Sequence, residues 1–167
     1  MSTRATLVDA EATRAFGERL ATLLRAGDLV VLTGGLGAGK TTLTQGIGAG
    51  LGVRGPVVSP TFTIARVQPS LVGGPALVHV DAYRLSSLAE VDALDLDTSM
   101  EESVTVVEWG AGWVEPLAGD RLEVSVERPR GAVDDPADAA AGARVLTCTG
   151  VGARWAGVVL PGDPVEG

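Results

Sequence analysis

Cysteine, lysine, histidine and tyrosine each occur once in this chain, and aromatic residues make up only 4% of it. The lone Cys148 excludes an internal disulfide and argues against Cys-based zinc centres and Cys-pair redox chemistry. A reducing, cytoplasmic setting fits that usage. No Lys/Arg-rich run appears among the 13 basic residues, and the formal charge is −8, so the electrostatic footprint of a stand-alone nucleic-acid binder is missing. Any contact with RNA would have to come through a partner. The stretch "MSTRATLVDAEATRAF" lacks the apolar segment of a signal peptide, and no window reaches the ~18 apolar residues of a membrane span. The expectation is a soluble chain with no membrane attachment.

At 16.9 kDa the chain suits one domain, large enough to bury roughly 70% of its unfolded surface without staples. No repeat or long linker divides it, and the expected domain spans residues 1–160, with "PGDPVEG" at the end as a frayed tail from 161 to 167. Asp9 or Thr13 can cap a first amphipathic helix carrying Ala12, Phe16, Leu20 and Leu23, with Gly27 as its stop. "DLVVLTGG" then supplies a short apolar run, Leu29 to Leu32, that ends in glycines, as a strand buried on both faces does. From Lys40 to Leu51 the spacing of Leu43, Ile47 and Leu51 predicts a helix closing at Gly52. "PVVSPTFTIARVQ" is broken by Pro60 and reads as a loop entering a strand near Phe62. Leu77–Val80 and Val104–Val107 are further buried strands, each followed by an acid, Asp81 and Glu108. In the last third, "RLEVSVE" and "RVLTCTG" alternate with the period of strands that have one wet face, and are expected to pair as antiparallel additions. Between them "RPRGAVDDPADAAAGA" reads as a flexible loop. The predicted class is α/β, with a mostly parallel central sheet flanked by helices.

The single lysine is the informative one. Ala, Gly, Val and Arg are abundant, so lysine has given way to arginine wherever the exchange is tolerated; Lys40 marks a place where it is not. It lies in "GGLGAGKT", a match to G-x-x-x-x-G-K-[ST] between a buried strand and a helix, which is where a phosphate-binding loop belongs. Amides of such a loop, including those of Gly35, Gly37, Ala38 and Gly39, form an anion nest, and the helix N-terminus adds its positive dipole end. Lys40 would set a compact ammonium on the β- and γ-phosphates, where a planar guanidinium does not fit. Thr41 would bind Mg²⁺ through its hydroxyl, and Thr42 would donate to a phosphate oxygen. The expected fold is therefore P-loop NTPase-like.

Mg²⁺ takes octahedral oxygen ligands, so a carboxylate is needed as well. Asp81 and Glu108 both sit just past buried strands, at the edge where open α/β sheets bind ligands, and the residues alone do not choose between them. "SPTFT" follows the loop helix, where nucleotide switches place a γ-phosphate-sensing segment; Ser59, Thr61 and Thr63 supply hydroxyls, although Ser-Pro-Thr is also an ordinary turn. His79 shares a strand face with Asp81 and reads as a core or supporting residue. Trp109 and Trp113 flank Glu108, and Tyr83 and Arg84 follow Asp81, with roles left open.

Taken in order and at these separations, "GGLGAGKTTLTQGIGAGLG", "SPTFT", "HVDAYRL" and "VEWG" closely resemble the bacterial TsaE family, over about Asp9 to Gly110 and more weakly in the two terminal strands. The resemblance implies a small ATPase, using ATP and Mg²⁺, required for threonylcarbamoylation of adenosine 37 of tRNA. It implies that Thr41 and Glu108 hold the metal, that Asp81 is the catalytic or water-orienting acid, and that Thr61 belongs to a switch-like loop. Arg144 becomes the late-strand arginine that approaches the nucleotide, across a loop from Arg128 to Ala143 longer than the family's. The implied partners are TsaD-like and TsaB-like proteins, with tRNA held mainly by them and ATP hydrolysis resetting the complex. A small-molecule kinase and a nucleotide-gated interaction module with incidental hydrolysis are the alternatives. The first needs an arginine-bearing lid, for which Arg128, Arg130 and Arg144 form no clear pattern.

Overall fold

A strand covered on both faces needs apolar residues in both phases, and three of the runs read from the sequence supply them. Leu29–Thr33 (β2), Ala76–Asp81 (β4) and Ser103–Glu108 (β5) lie side by side and parallel, with β5 between the other two. Arg121–Glu127 (β6) joins the far side of β2, again parallel. The computed structural model describes residues 2–34, 39–53, 55, 65–81, 101–108, 120–127 and 143–166. Within them these four strands form the middle of one eight-stranded sheet. Antiparallel strands finish both sides: Ala65–Gln68 (β3) beyond β4, and Arg144–Val151 (β7), Ser2–Leu7 (β1) and Asp163–Pro164 (β8) in turn beyond β6.

The sheet as a whole is mixed: its centre, β4-β5-β2-β6, is parallel, and antiparallel strands lie on both sides. β6 and β7 pair antiparallel with each other as expected, but β6 joins the rest of the sheet parallel to β2, not as an antiparallel addition. Alternating burial along β6 reports its two faces and carries no information about direction. β1 has no counterpart in the sequence reading, because "STRATL" holds one large apolar residue; its stability comes from a six-residue ladder with β7, running from Ser2↔Thr149 to Leu7↔Arg144. The segment read as a frayed tail pairs with β1 through Asp163 and Pro164, and Val165 N–H donates to the Ser2 carbonyl at 3.0 Å.

The first helix, Ala10–Ala21 (α1), starts as expected: Asp9 is its N-cap, and its Oδ1 accepts from Ala12 N–H at 2.8 Å. It stops before the anticipated Gly27. The chain tightens after Ala21, with Leu23 N–H bonded to the Leu20 carbonyl and Leu24 N–H to that of Ala21, three residues back. Gly27 instead makes the turn into β2 at φ 95°, and its N–H reaches the Ser103 carbonyl of β5. The second helix, Lys40–Leu51 (α2), has the expected bounds and ends on Gly52 at φ 70°, the left-handed cap that favours glycine.

Phe16 and Leu20 of α1 and Leu43, Ile47 and Leu51 of α2 share one core with one sheet face: Val30, Leu32, Leu77, Val104, Val106, Leu122, Val124 and Leu146. The helices meet backbone to backbone. A methyl on Gly17 would stand 2.5 Å from the Leu43 carbonyl oxygen, and one on Gly46 would run into the Arg14 carbonyl. At the far end, Arg154 ties the C-terminal segment to the start of β2, with Nε and Nη2 each 2.9 Å from the Asp28 carboxylate.

Two expectations follow from this packing. Gly46→Ala should destabilise the fold by about 1–3 kcal/mol in urea denaturation, because the overpacking outweighs the ~1 kcal/mol gain in helix propensity; an unchanged or raised midpoint would show that the helices can separate freely. Burial pushes the Cys148 thiol from 9.0 up to about 12, partly offset by its hydrogen bond with Thr3. The folded chain should resist a thiol reagent at pH 8 and react once unfolded. The matching share of stability is whole below the ordinary thiol value and declines as pH rises from there toward the folded one.

Candidate nucleotide site

Parallel strands end at a common edge, and in this sheet that edge gathers the chemistry. β2 finishes at Thr33 and passes through Gly34 toward α2; residues 35–38 of the loop, which include Gly35, Gly37 and Ala38, lie outside the described residues. The chain is described again at Gly39, where φ is 105°, and enters α2 without a side-chain cap on the helix N-terminus. Gly39 has no side chain to cap the first turn, which stands at the positive end of the helix dipole. Lys40 is buried, at 8% exposure, and its Nζ donates to the Gly34 carbonyl at 2.7 Å. The ammonium is folded back across the two ends of the loop. Thr41 and Thr42 follow in the first turn, half-buried.

Register brings the two acids together. Glu108 at the end of β5 is paired with Leu32 of β2 on one side and with Asp81 of β4 on the other. Of Asp81 the described part is this backbone position. Glu108 is 6% exposed, and its Oε1 accepts a hydrogen bond from His79 Nε2 at 3.0 Å. Desolvating a carboxylate is costly without donors, so this contact is part of what holds Glu108 in place.

The antiparallel direction of β7 accounts for Arg144. β6 runs with β2, so the first residue of β7 falls at the same edge as Gly34 and Glu108. Arg144 takes the inward phase of its strand, with Leu146 and Cys148, and is 3% exposed. Its Nη1 donates to the Ala143 carbonyl at 3.1 Å, and its Nε lies 3.8 Å from where a Cβ on Gly39 would be. In a chain of net charge −8, two buried cations and a helix N-terminus whose cap residue is glycine therefore converge on one short stretch. Such a cluster suits a multiply charged anion, and the neighbouring hydroxyl of Thr41 and carboxylate of Glu108 are hard oxygen donors of the kind Mg²⁺ takes.

Of the residues expected to form the site, Gly39, Lys40, Thr41, Thr42, Glu108 and Arg144 are described, with Asp81 by its strand position. Thr61, like Ser59, Thr63, Tyr83, Arg84, Trp109 and Trp113, lies outside the described residues. Sequence reasoning missed the His79–Glu108 bond and the Lys40–Gly34 bond. The first had a faint signal in the shared strand phase of His79 and Asp81; the second had none, since a backbone carbonyl has no sequence signature. Among the described residues no helix is long and apolar enough to cross a membrane.

Comparison with known proteins points to one group. The family profile described as "Threonylcarbamoyl adenosine biosynthesis protein TsaE" matches residues 7–133. A Streptomyces coelicolor protein named tRNA threonylcarbamoyladenosine biosynthesis protein TsaE is 63% identical over 144 residues, covering 86% of this chain and 93% of its own. A Bacillus subtilis protein of the same name is 38% identical over 149 residues, covering 89% and 85%. Among solved structures, the crystal structure of Bacillus subtilis YdiB superposes with a TM-score of 0.69 at 32% identity, over 93% of this chain and 90% of that one.

Proposed function

The chain belongs to the TsaE family, and from that footing we propose that it is a P-loop ATPase acting in tRNA threonylcarbamoyladenosine biosynthesis. It hydrolyses ATP within a complex of TsaD-like and TsaB-like proteins that modifies adenosine 37. The observation that carries this reading is the meeting of Gly39, Lys40 and Arg144 at the sheet edge where Glu108 and Asp81 also end. Acidic overall, the chain leaves tRNA to its partners.

Within this reading the residues divide the work. The amides of α2's first turn, from Gly39 to Thr42, and the Lys40 ammonium bind the β- and γ-phosphates. Lys40 must then exchange its bond to the Gly34 carbonyl for one to phosphate, a swap of one oxygen acceptor for a charged and stronger one. The Arg144 guanidinium, held inward by its strand phase, adds charge beside Gly39. Thr41 and Glu108 would hold Mg²⁺, which when bound supplies positive charge to the phosphate oxygens. Asp81 orients the attacking water with Thr61, and catalysis is positioning and electrostatics with no covalent role for the protein.

Lys40→Ala should weaken ATP binding by about 1.5–3 kcal/mol, the range of a charge-assisted hydrogen bond, or one to two decades in affinity. Asp81→Asn should bind ATP as the parent does and fail to turn it over. Steady-state hydrolysis measured with and without TsaB-like and TsaD-like proteins, followed by a tRNA modification assay, separates the alternatives. Slow hydrolysis that the partners stimulate supports the proposal. Full tRNA modification by the Asp81→Asn protein contradicts it in favour of a nucleotide-gated module, and phosphorylation of a small acceptor by the isolated chain contradicts it in favour of a kinase.

A further inference from the structure

His79 is placed in the interior of the sheet, on a strand with neighbours on both sides: it pairs with Arg66 of β3 and Val106 of β5. At 1% exposure it has no room to turn away. Its Nε2 reaches diagonally across β5 to Glu108 Oε1 at 3.0 Å. A carboxylate oxygen only accepts, so Nε2 carries the proton. The other ring nitrogen, Nδ1, is buried and has no hydrogen-bond partner among the described residues. If packing were the whole role of this position, an apolar side chain would serve it without stranding a nitrogen. Among the described residues, the one polar contact His79 makes is the one to Glu108.

Resting on the nucleotide and Mg²⁺ reading above, we propose that His79 is a positioning residue whose bond to Glu108 Oε1 fixes this carboxylate and biases it toward one-oxygen ligation, favouring Mg²⁺ over Ca²⁺. The physical basis is a difference in coordination. Mg²⁺ demands near-ideal octahedral geometry, for which one oxygen per carboxylate suffices, whereas Ca²⁺ takes six to eight oxygens and readily uses both oxygens of one carboxylate. A fixed donor on Oε1 takes one of that oxygen's two lone pairs and orients the carboxylate, which disfavours the two-oxygen option. Outer hydrogen bonds of this kind also set ligand orientation, and their loss typically costs about 10–100-fold in metal affinity.

The test is binding of a fluorescent ATP analogue, titrated with Mg²⁺, with Ca²⁺, and with neither metal in the presence of a chelator. The parent chain should bind the analogue more tightly with Mg²⁺, at a lower midpoint than with Ca²⁺. His79→Leu should raise the Mg²⁺ midpoint about tenfold or more and erase the preference over Ca²⁺, with metal-free binding unchanged. His79→Gln, whose amide N–H substitutes for Nε2, should recover both. Should His79→Leu not fold, as thermal denaturation will show, His79→Asn carries the same expectation, because its shorter amide does not span to Oε1. A parent chain with no Mg²⁺-dependent nucleotide binding overturns the nucleotide reading and this inference with it. A parent response that persists in the folded His79→Leu or His79→Asn protein, or a loss confined to metal-free binding, overturns the role of His79 alone.

Discussion

Parallel pairing of β2 with β5 on one side and β6 on the other decides where each functional group arrives. A strand that leads into a helix delivers the helix N-terminus at its own carboxyl end, so β2 sets Gly39 and Lys40 at one edge of the sheet. Because β5 runs with β2 and β4 with β5, their terminal acids come to the same edge, with Leu32, Glu108 and Asp81 in one row of the ladder. β6 runs with β2 as well, which turns the antiparallel β7 round to present its first residue, Arg144, on that side. Reversing any one of these pairings would send a cation or a carboxylate to the opposite end of the molecule.

The helices hold this edge in place through contacts that tolerate little change. α2 lies against the sheet by Leu43, Ile47 and Leu51 and against α1 by bare backbone at Gly46, so neither face has space for a larger side chain. A helix seated that closely keeps its N-terminus at a defined distance from β5 and β7. On the proposed reading the consequence would be preorganisation, with donors fixed before an anion arrives, a form of electrostatic assistance that needs no rearrangement at the moment of reaction. On that reading one group would have to move. Lys40 donates to the Gly34 carbonyl, which gives the buried ammonium an acceptor in this structure.

Elements with a local cause were legible in the sequence, and those made by distant partners were not. α2 was readable to the residue because both ends are written nearby, in the Gly-Lys junction and in the left-handed Gly52. β6 was readable in extent from its alternation, but its direction is set by β2, some ninety residues earlier. β1 and β8 exist because each finds a ladder at the other end of the chain, and "STRATL" alone gives no reason to form a strand. For the site, Lys40, Thr41, Asp81 and Glu108 stood out as a motif and as acids ending apolar runs. The placement of Arg144 beside Gly39 depends on two successive pairings, β2 with β6 and β6 with β7, and motif resemblance supplied it where spacing did not. The His79–Glu108 bond needed the register of β4 against β5, because face alone had pointed to Asp81.

A crystal structure of the chain with a non-hydrolysable ATP analogue and Mg²⁺ tests the central claim most directly. The account predicts the phosphates against the amides of Gly39 to Thr42, the Lys40 ammonium transferred from the Gly34 carbonyl to phosphate, and Glu108 beside the metal. Nucleotide bound away from this sheet edge, or phosphates in place with Lys40 still on Gly34, would contradict it.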